Sequence, residues 1–286
     1  MSNSTPLLKD LLDLEQIEIN IFRGQCHKTG AAQVFGGQVL GQALMAASTT
    51  VEAFSSHSLH AYFLRGGDMN APILYDVERI RDGRSFCTRR VVAIQHGRPI
   101  FNMSASFQTD EQGLSHQVQM PQVPSPDELD DDREIRKTII EKKGRTFDPY
   151  SSPDWPIDVR RCEDTAPRRK PKVMPGIQNT WFRIRETLPE SPVIHKSALA
   201  YASDLNLLTT AMQPHGISFL QPDVRIASLD HAMWFHRPFN CNEWLLYAAE
   251  SPSSSGGRGF NRGNIFNEAG ELIASTTQEG LMRKLS

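Results

Sequence analysis

The chain has 286 residues, of which 39% are hydrophobic and 22% charged, an ordinary balance for a globular protein that can bury a sizeable core. Its formal net charge of −2 excludes the basic field that non-specific capture of nucleic acid or anionic membrane requires. Its start lacks the pattern of a signal peptide, no apolar run approaches the length of about 18 residues of a membrane span, and its four cysteines form no C-x-x-C pair. These features predict a cytoplasmic protein with reduced cysteines, without membrane insertion or nucleic-acid partners.

The first half of the chain predicts a strand, a buried helix and four further strands. Alternating isoleucines over 17–21 are typical of a strand. The pair Gly36-Gly37 then leads into a helix over 38–47, whose sides are mostly apolar, which indicates burial. The sequence next predicts strands near 57–65, 72–81, 86–95 and 99–108.

The second half repeats this order. A strand near 181–185 precedes a helix predicted over 193–212, and the sequence then predicts strands near 225–237, 243–251, 259–267 and 271–282. A strand, a buried helix and an antiparallel meander predict an α+β unit in which a sheet wraps one helix.

The two halves match each other at an offset of 172 residues, which pairs Phe63 with Phe235, Arg65 with Arg237, Asn70 with Asn242 and Glu78 with Glu250. Such self-similarity indicates duplicated units, although a chance match at a chosen offset is the alternative. Residues 115–175 are rich in proline and charge and predict a linker that is partly ordered on the surface. The predicted domains are therefore 1–114, the linker 115–175, and 176–286, which carries the candidate catalytic residues.

Several familiar sites are absent from the sequence. It contains no G-x-S-x-G elbow, no G-x-x-x-x-G-K-[ST] phosphate loop and no H-E-x-x-H helix. The pairs His57/His60 and His231/His236 have no cysteine or carboxylate partners at ligand spacing, which favours structural histidines over a metal site.

Three polar residues are candidates for chemistry. Asp204 falls in the most apolar stretch of the second predicted helix, where a carboxylate needs partners or a raised pKa. Ser228 lies at the start of the predicted strand over 225–237, and Gln278 lies on the last strand. From the pattern alone, Asp204 is either a functional carboxylate or a satisfied acceptor for nearby backbone. Taken singly, Ser228 and Gln278 are ordinary strand residues.

Seven segments carry a resemblance that extends over nearly the whole chain outside the linker: 33–38, 62–68, 95–101, 201–206, 213–216, 230–238 and 278–280. In them the chain resembles the acyl-CoA thioesterase II family. The resemblance implies two tandem hotdog folds, each a sheet wrapped around a long central helix, that form a double hotdog. It also implies hydrolysis of fatty acyl-CoA by a water held by Asp204, Ser228 and Gln278, with Ser228 standing where some members have threonine.

In the implied mechanism Asp204 is the general base, and the other two residues orient the water. The backbone N–H groups of Gly36 and Gly37 are candidates for binding the oxyanion, although tight helix–sheet packing explains these glycines equally well. The basic cluster over 168–172 could receive the phosphates of coenzyme A, with a solvated loop as the alternative.

Two other classes of function bind acyl-CoA. A hotdog hydratase or dehydratase needs an Asp/His pair close together on the helix, whereas His195 lies nine residues before Asp204. A non-catalytic acyl-CoA-binding module has no reason to keep a buried carboxylate beside two water-orienting groups. We expect no metal or organic cofactor, because the reaction needs none. The resemblance further implies a homo-oligomer, a dimer or tetramer, with a pseudo-dimeric monomer as the alternative.

Overall fold

The computed structural model describes residues 7–27, 31, 33–142, 150, 152, 155–166 and 168–285. In chain order its helices and strands are α1 (Leu8–Leu12), β1 (Glu15–Glu18), β2 (Ile21–Gly24), α2 (Gly36–Thr49), β3 (Ser55–Phe63), β4 (Ile73–Asp82), β5 (Phe86–Gln95), β6 (Arg98–Gln108), α3 (Asp132–Lys142), β7 (Ile157–Arg161), β8 (Ile177–Ile184), α4 (Pro192–Ser203), α5 (Leu207–Thr210), β9 (Val224–Ser228), β10 (Asp230–Phe235), β11 (Leu245–Ser255), β12 (Arg258–Asn267) and β13 (Leu272–Lys284). The predicted α+β class is confirmed. None of the described helices is long and apolar enough to cross a membrane.

The chain divides into two compact units, each assembled from separate stretches of sequence. The first unit comprises Met1–His116, Glu186–Leu205 and Asp230–Asn240, and the second comprises Gln117–Arg185, Asn206–Leu229 and Cys241–Ser286. Each unit therefore draws on both halves of the sequence. The boundaries at 114 and 175 stay predictions.

The first unit is an antiparallel sheet packed on helices. Its strands follow the order β1-β2-β4-β5-β6-β3-β10. Helix α2 is buried along most of its length, as the sequence predicts, because apolar and small residues occupy nearly all of its sides. It packs closely on α4: a Cβ built on Gly37 would lie 2.1 Å from the carbonyl oxygen of Tyr201, and one on Gly41 would lie 2.8 Å from that of Ser197. Only glycine allows the two helix backbones to approach so closely.

The register between β3 and β10 agrees with the internal repeat. The two strands pair antiparallel, with His60 opposite Ala232, Tyr62 opposite Asp230 and Ser58 opposite Trp234. His60 and Ala232 are separated by the same 172 residues as the two halves of the repeat. Equivalent strands of the two copies thus pair about a local two-fold axis, which supports duplication over a chance match.

The strands of the second unit, called the second sheet below, are antiparallel: β9 pairs with β13, and the order continues β13-β12-β11-β8-β7. Strand β7 and helix α3 come from the segment predicted as a linker. A cluster of Trp181, Leu246 and Phe266 forms an apolar core for this unit. The described part of the predicted linker therefore contributes a helix and a strand to the second unit.

Two predicted strands are wrong as single elements. The isoleucine strand is two short strands separated at Asn20, whose φ of 65° is left-handed, and its residues Ile17 and Ile19 are exposed. An isoleucine alternation therefore does not mark a buried face here. The strand predicted over 225–237 is divided at Leu229 into β9 and β10.

Candidate active site

Asp204 lies at the end of a helix and not in the middle of one. Helix α4 stops at Ser203, Asp204 is its C-terminal cap, and Asn206 then adopts a left-handed φ of 63° before α5 begins. Asparagine tolerates this conformation better than most residues. The prediction of one helix over 193–212 with a buried Asp204 inside it is therefore wrong, and the Asp204 residue is only partly buried.

The carboxylate of Asp204 lies beside the first turn of α2. A Cβ built on Gly36 would lie 2.7 Å from Oδ2 of Asp204 and 2.9 Å from Cε1 of Phe63. The helix has no acidic residue in this turn and no side-chain cap from Phe35. The first N–H groups of a helix lack partners within it, and the helix dipole favours negative charge there. This end of α2 can therefore stabilise a carboxylate or a developing oxyanion.

The two candidate glycines consequently differ in their surroundings. Gly36 meets the carboxylate of Asp204, whereas Gly37 meets the carbonyl oxygen of Tyr201 on α4. Close packing of α2 on α4 explains why residue 37 is a glycine, and proximity to a carboxylate explains why residue 36 is one.

A buried pair of polar side chains holds the end of α4 next to Asp204. The hydroxyl of Ser203 donates to the carbonyl oxygen of Ala200 at 2.9 Å, and its oxygen lies 2.9 Å from Nε2 of His231 on β10. Ser203 and His231 therefore share one hydrogen bond, in which the tautomer of the ring decides the donor. Burial lowers the pKa of His231 to about 3, so its ring is neutral at physiological pH.

This histidine should make stability depend on pH. The unfolded chain binds a proton at His231 near pH 6.5, but the folded chain does so only near pH 3, so the stability present above pH 6.5 is lost as pH falls between these values. From pH 6.5 to 5 the free energy of unfolding should fall by about 1.5 kcal/mol through this group alone. His231→Asn should remove this part of the pH dependence. The measurement is the free energy of unfolding from urea titrations at the two pH values.

The control for this prediction is His60→Asn, which changes an exposed histidine on the neighbouring strand β3. This variant should retain the pH dependence of stability of the wild type. An equal pH dependence of stability in the wild type and in His231→Asn would show that the His231 ring does not titrate as its burial requires.

Ser228 and Gln278 lie on the same face of two neighbouring strands of the second unit. Ser228 is the last residue of β9, not the first residue of a long strand, and it pairs with Gly280 on β13. Gln278 lies two residues before Gly280 and is fully buried. Side chains two positions apart on a strand share a face, so Ser228 and Gln278 are diagonal neighbours with Cα atoms roughly 7 to 8 Å apart.

The buried face around Gln278 is polar where a core would be apolar. Gln278 pairs across the strands with Asn261 on β12, which is also fully buried. Among the described residues, Oδ1 of Asn261 has no hydrogen-bond partner. Thr276, on the same face of β13, lies 2.6 Å from the hydroxyl of Tyr247. Buried polar groups are unfavourable in a sheet interior unless they are satisfied, so this concentration indicates a functional surface.

Asn261 was missed by the sequence analysis. The available signal was its place at an inward position of β12 between Gly259 and Gly263, where a packing residue is expected. Helix α5 lies on this face: a Cβ on Gly280 would lie 2.2 Å from Cδ1 of Leu208, and one on Gly259 would lie 2.5 Å from Cβ of Ala211. The two glycines let α5 approach the strand that pairs with Ser228.

No cysteine provides an alternative nucleophile. None of the four forms a disulfide, and burial raises the pKa of Cys26 to about 11 and that of Cys162 to about 12. Thiols with such pKa values are protonated at neutral pH and are poor nucleophiles. Within the described part of the chain, no group of three or more His, Cys, Asp or Glu residues is arranged to hold a metal ion.

The structure thus groups the candidate residues within each compact unit. In the first unit it places Asp204 beside Gly36, and in the second it places Ser228 and Gln278 on one polar face.

Comparison with known proteins establishes first the fold and then the family. A protein with a hot dog fold from Alicyclobacillus acidocaldarius is 20% identical and superimposes with a TM-score of 0.77 over 98% of each chain. This likeness, together with the duplicated sheet-and-helix pattern, confirms the double hotdog fold.

Two family models cover most of the sequence: the acyl-CoA thioesterase N-terminal domain matches residues 25–108, and the acyl-CoA thioesterase domain matches 153–281. The acyl-CoA thioesterase 2 of Haemophilus influenzae is 42% identical over 99% of both chains. The structure of an acyl-CoA thioesterase II from Mycobacterium marinum is 45% identical, covers 98% of this chain and 99% of its own, and superimposes with a TM-score of 0.79. The chain belongs to the acyl-CoA thioesterase family, as the sequence resemblance implies.

Proposed function

We propose that this protein hydrolyses fatty acyl-CoA to a free fatty acid and coenzyme A with a water molecule held by Asp204, Ser228 and Gln278. Membership of the family supports the reaction, as do relatives named acyl-CoA thioesterases. The observation that carries the residue assignment is the carboxylate of Asp204 against the first turn of α2, which has no side-chain cap from Phe35. A base and a site for an oxyanion then lie side by side.

In the proposed reaction Asp204 accepts a proton while the water oxygen attacks the thioester carbonyl carbon. The carbonyl oxygen becomes an oxyanion, and the N–H of Gly36 at the start of α2 donates to it. The tetrahedral intermediate then collapses, the carbon–sulfur bond breaks, and the departing sulfur takes the proton from Asp204. The products are the fatty acid and the free thiol, and no enzyme-bound acyl group forms.

Ser228 and Gln278 have a different role, which is to orient the water. A hydroxyl and a carboxamide can each both donate and accept hydrogen bonds, so together they can hold a water with one lone pair directed at the carbonyl. Their place on one polar, buried face supports this assignment. The neighbouring Asn261 extends the same polar surface.

The arrangement favours hydrolysis over hydration or dehydration of the acyl chain. A dehydratase needs an acid–base histidine beside its carboxylate. His195 lies nine residues before Asp204, about 13 Å along an α-helix. His231 is fully buried and engaged with Ser203, so it is not offered to a substrate. Cytoplasmic location, independence of cofactors and homo-oligomeric assembly stay part of the proposal.

Release of free thiol from acyl-CoA, followed with a chromogenic trap, tests the proposal. The wild type should turn over, and Ser228→Ala and Gln278→Ala should each lower kcat by about 10- to 100-fold, the effect of one hydrogen bond to a reacting group. Matched controls are Ser253→Ala and Gln16→Ala, which remove the same groups from exposed strand positions and should leave kcat unchanged. Absence of thiol release by the wild type would overturn the proposal.

A further inference from the structure

The second compact unit contains a cavity of about 260 Å³. Its walls come from the chain that follows β7 and from α5 with the residues after it. Its charged lining consists of three basic side chains and one acidic side chain: Arg161, Arg168, Lys172 and Asp164. A chain with a net charge of −2 therefore carries a local excess of positive charge around this basic cavity.

Arg161 is fixed in the cavity wall by a buried ionic cluster. Its Nε donates to Oδ1 of Asp132 at 2.6 Å, and Nε of Arg136 donates to Oδ2 of the same carboxylate at 2.5 Å. All three side chains are buried. Because Arg161 shares this carboxylate with Arg136, Asp132 offsets only part of the charge of Arg161, and burial protects that charge from screening by salt.

The rim of the basic cavity adds charge that can be redirected to a ligand. Arg168 forms an exposed ion pair with Asp164, in which Nη2 and Oδ1 are 2.5 Å apart. Exposed pairs of this kind contribute little stability, so an incoming anion can compete for the arginine. Lys172 is exposed and forms no ion pair among the described residues. Both side chains come from the basic cluster over 168–172.

Asn206 supplies a second, independent sign of a ligand-binding site. Its Nδ2 is buried and has no hydrogen-bond partner within the described residues, although it belongs to the lining of the basic cavity. Its left-handed backbone is held because its carbonyl oxygen accepts from the N–H of Thr209 at 3.1 Å and from the Thr209 hydroxyl at 2.6 Å. A buried donor without an acceptor is unfavourable, and a bound acceptor would satisfy it.

The basic cavity also lies close to the polar face of the second sheet. Helix α5 contributes Thr209 to the cavity lining and places Leu208 against Gly280, the residue that pairs with Ser228. One four-residue helix therefore separates the cavity from that face. Along the chain, Asn206 follows Asp204 by two residues.

We propose that the basic cavity binds the phosphate-bearing end of coenzyme A, an inference that rests on the proposed function. Arg161, Arg168 and Lys172 meet the phosphate oxygens, and Nδ2 of Asn206 donates to the ligand. Apolar lining residues such as Met212 and Phe219 accommodate the uncharged surface of the nucleotide. At about 260 Å³ the cavity is smaller than most sites for a whole cofactor, so it holds one part of coenzyme A.

The fatty acyl chain is the less suitable occupant. A hydrocarbon in this cavity would leave Asn206 unsatisfied and would desolvate the basic side chains without compensating contacts. Phosphates provide both the charge and the hydrogen-bond acceptors that the lining lacks.

Two measurements test this site. The first compares KM for acyl-CoA with KM for the same acyl group on N-acetylcysteamine, which lacks phosphates. In Lys172→Glu and Arg168→Ala the ratio of the two KM values should rise about tenfold, the effect of one lost charge-assisted contact. Asp164→Asn should lower the ratio by removing a competing carboxylate. Arg262→Ala, which changes an exposed ion-paired arginine on β12, is the matched control and should leave the ratio unchanged.

The second measurement is calorimetric binding of adenosine 3′,5′-bisphosphate, which does not require turnover. The wild type should bind it, Lys172→Glu should weaken binding about tenfold, and added salt should weaken it further. A KM ratio unchanged in all three cavity variants, or equal binding by wild type and Lys172→Glu, would overturn the proposed phosphate site. A wild type that binds the bisphosphate but hydrolyses no acyl-CoA would instead contradict the proposed function.

Discussion

Asp204→Asn is expected to lower kcat for acyl-CoA by roughly 10²- to 10⁴-fold, the usual range for a positioned acid or base. Asparagine keeps the shape of the side chain but cannot accept a proton from water at neutral pH. The carboxylate lies beside Gly36 at the start of α2, where its loss removes the base without opening a cavity. KM should change little, because the carboxylate acts on water and not on the acyl chain or the nucleotide. Steady-state thiol release measures both quantities.

Thermal stability must be measured on the same preparation, because a structural role for Asp204 predicts a different outcome. In that case Asp204→Asn would lower the melting temperature, and the folded fraction would turn over normally. The matched control is Asp13→Asn, which removes a carboxylate from another helix C-cap, that of α1. It should leave kcat at the wild-type value. A folded Asp204→Asn variant with near wild-type kcat would remove Asp204 from the mechanism.

Asp132→Asn is expected to destabilise the protein by about 3–5 kcal/mol, the range for breaking one side of a buried ion pair. Burial alone would raise the pKa of Asp132, but Arg161 and Arg136 overcome this desolvation and hold it well below its usual value. Replacement of the carboxylate removes the negative charge that the buried guanidinium groups of Arg161 and Arg136 share. Urea unfolding monitored by circular dichroism measures the change in the free energy of unfolding.

An exposed pair provides the comparison for this result. Glu250 and Arg262 are joined across β11 and β12 at 2.6 Å, but both side chains are exposed. Glu250→Gln should therefore change stability by less than about 1 kcal/mol. Similar losses of stability in Asp132→Asn and Glu250→Gln would show that burial does not increase the contribution of the Asp132 ion pairs to stability.

The alternation of side chains along the strands allowed most of the sheet to be predicted. The strand predicted over 86–95 coincides with β5, and the one over 259–267 differs from β12 by a single residue. Both strands bury one face, so their apolar positions recur with the period of two that a half-buried strand imposes. The same rule failed over 17–21 because those isoleucines do not face a core.

The break after Asp204 could not be read from local pattern. The residues from Ser203 to Leu207 include no glycine or proline, and their apolar spacing continues that of a helix. The chain turns at Asn206 because its carbonyl is capped by Thr209 and because Leu208 packs on Gly280. The packing of Leu208 on Gly280 is a tertiary contact, and such contacts override helix propensity.

The candidate site was only partly accessible from the sequence for a related reason. Asp204, Ser228 and Gln278 were assigned through the family resemblance, since no spacing rule connects residues so far apart. Asn261 and Asn206 were missed because their importance depends on burial and on cross-strand register, which one sequence does not reveal. The basic cluster over 168–172 was visible as charge, but its cavity was not.

A kinetic double-mutant cycle between Asp204 and Gln278 tests most directly the claim that three side chains hold one water molecule. The values of kcat are measured for the wild type, Asp204→Asn, Gln278→Ala and the double variant on folded protein. If both residues act on the same water, Gln278→Ala should lower kcat in the wild type by about 10- to 100-fold but lower it little further in Asp204→Asn, because groups that act as a unit are not additive. Independent, multiplicative losses in the double variant would contradict the shared water.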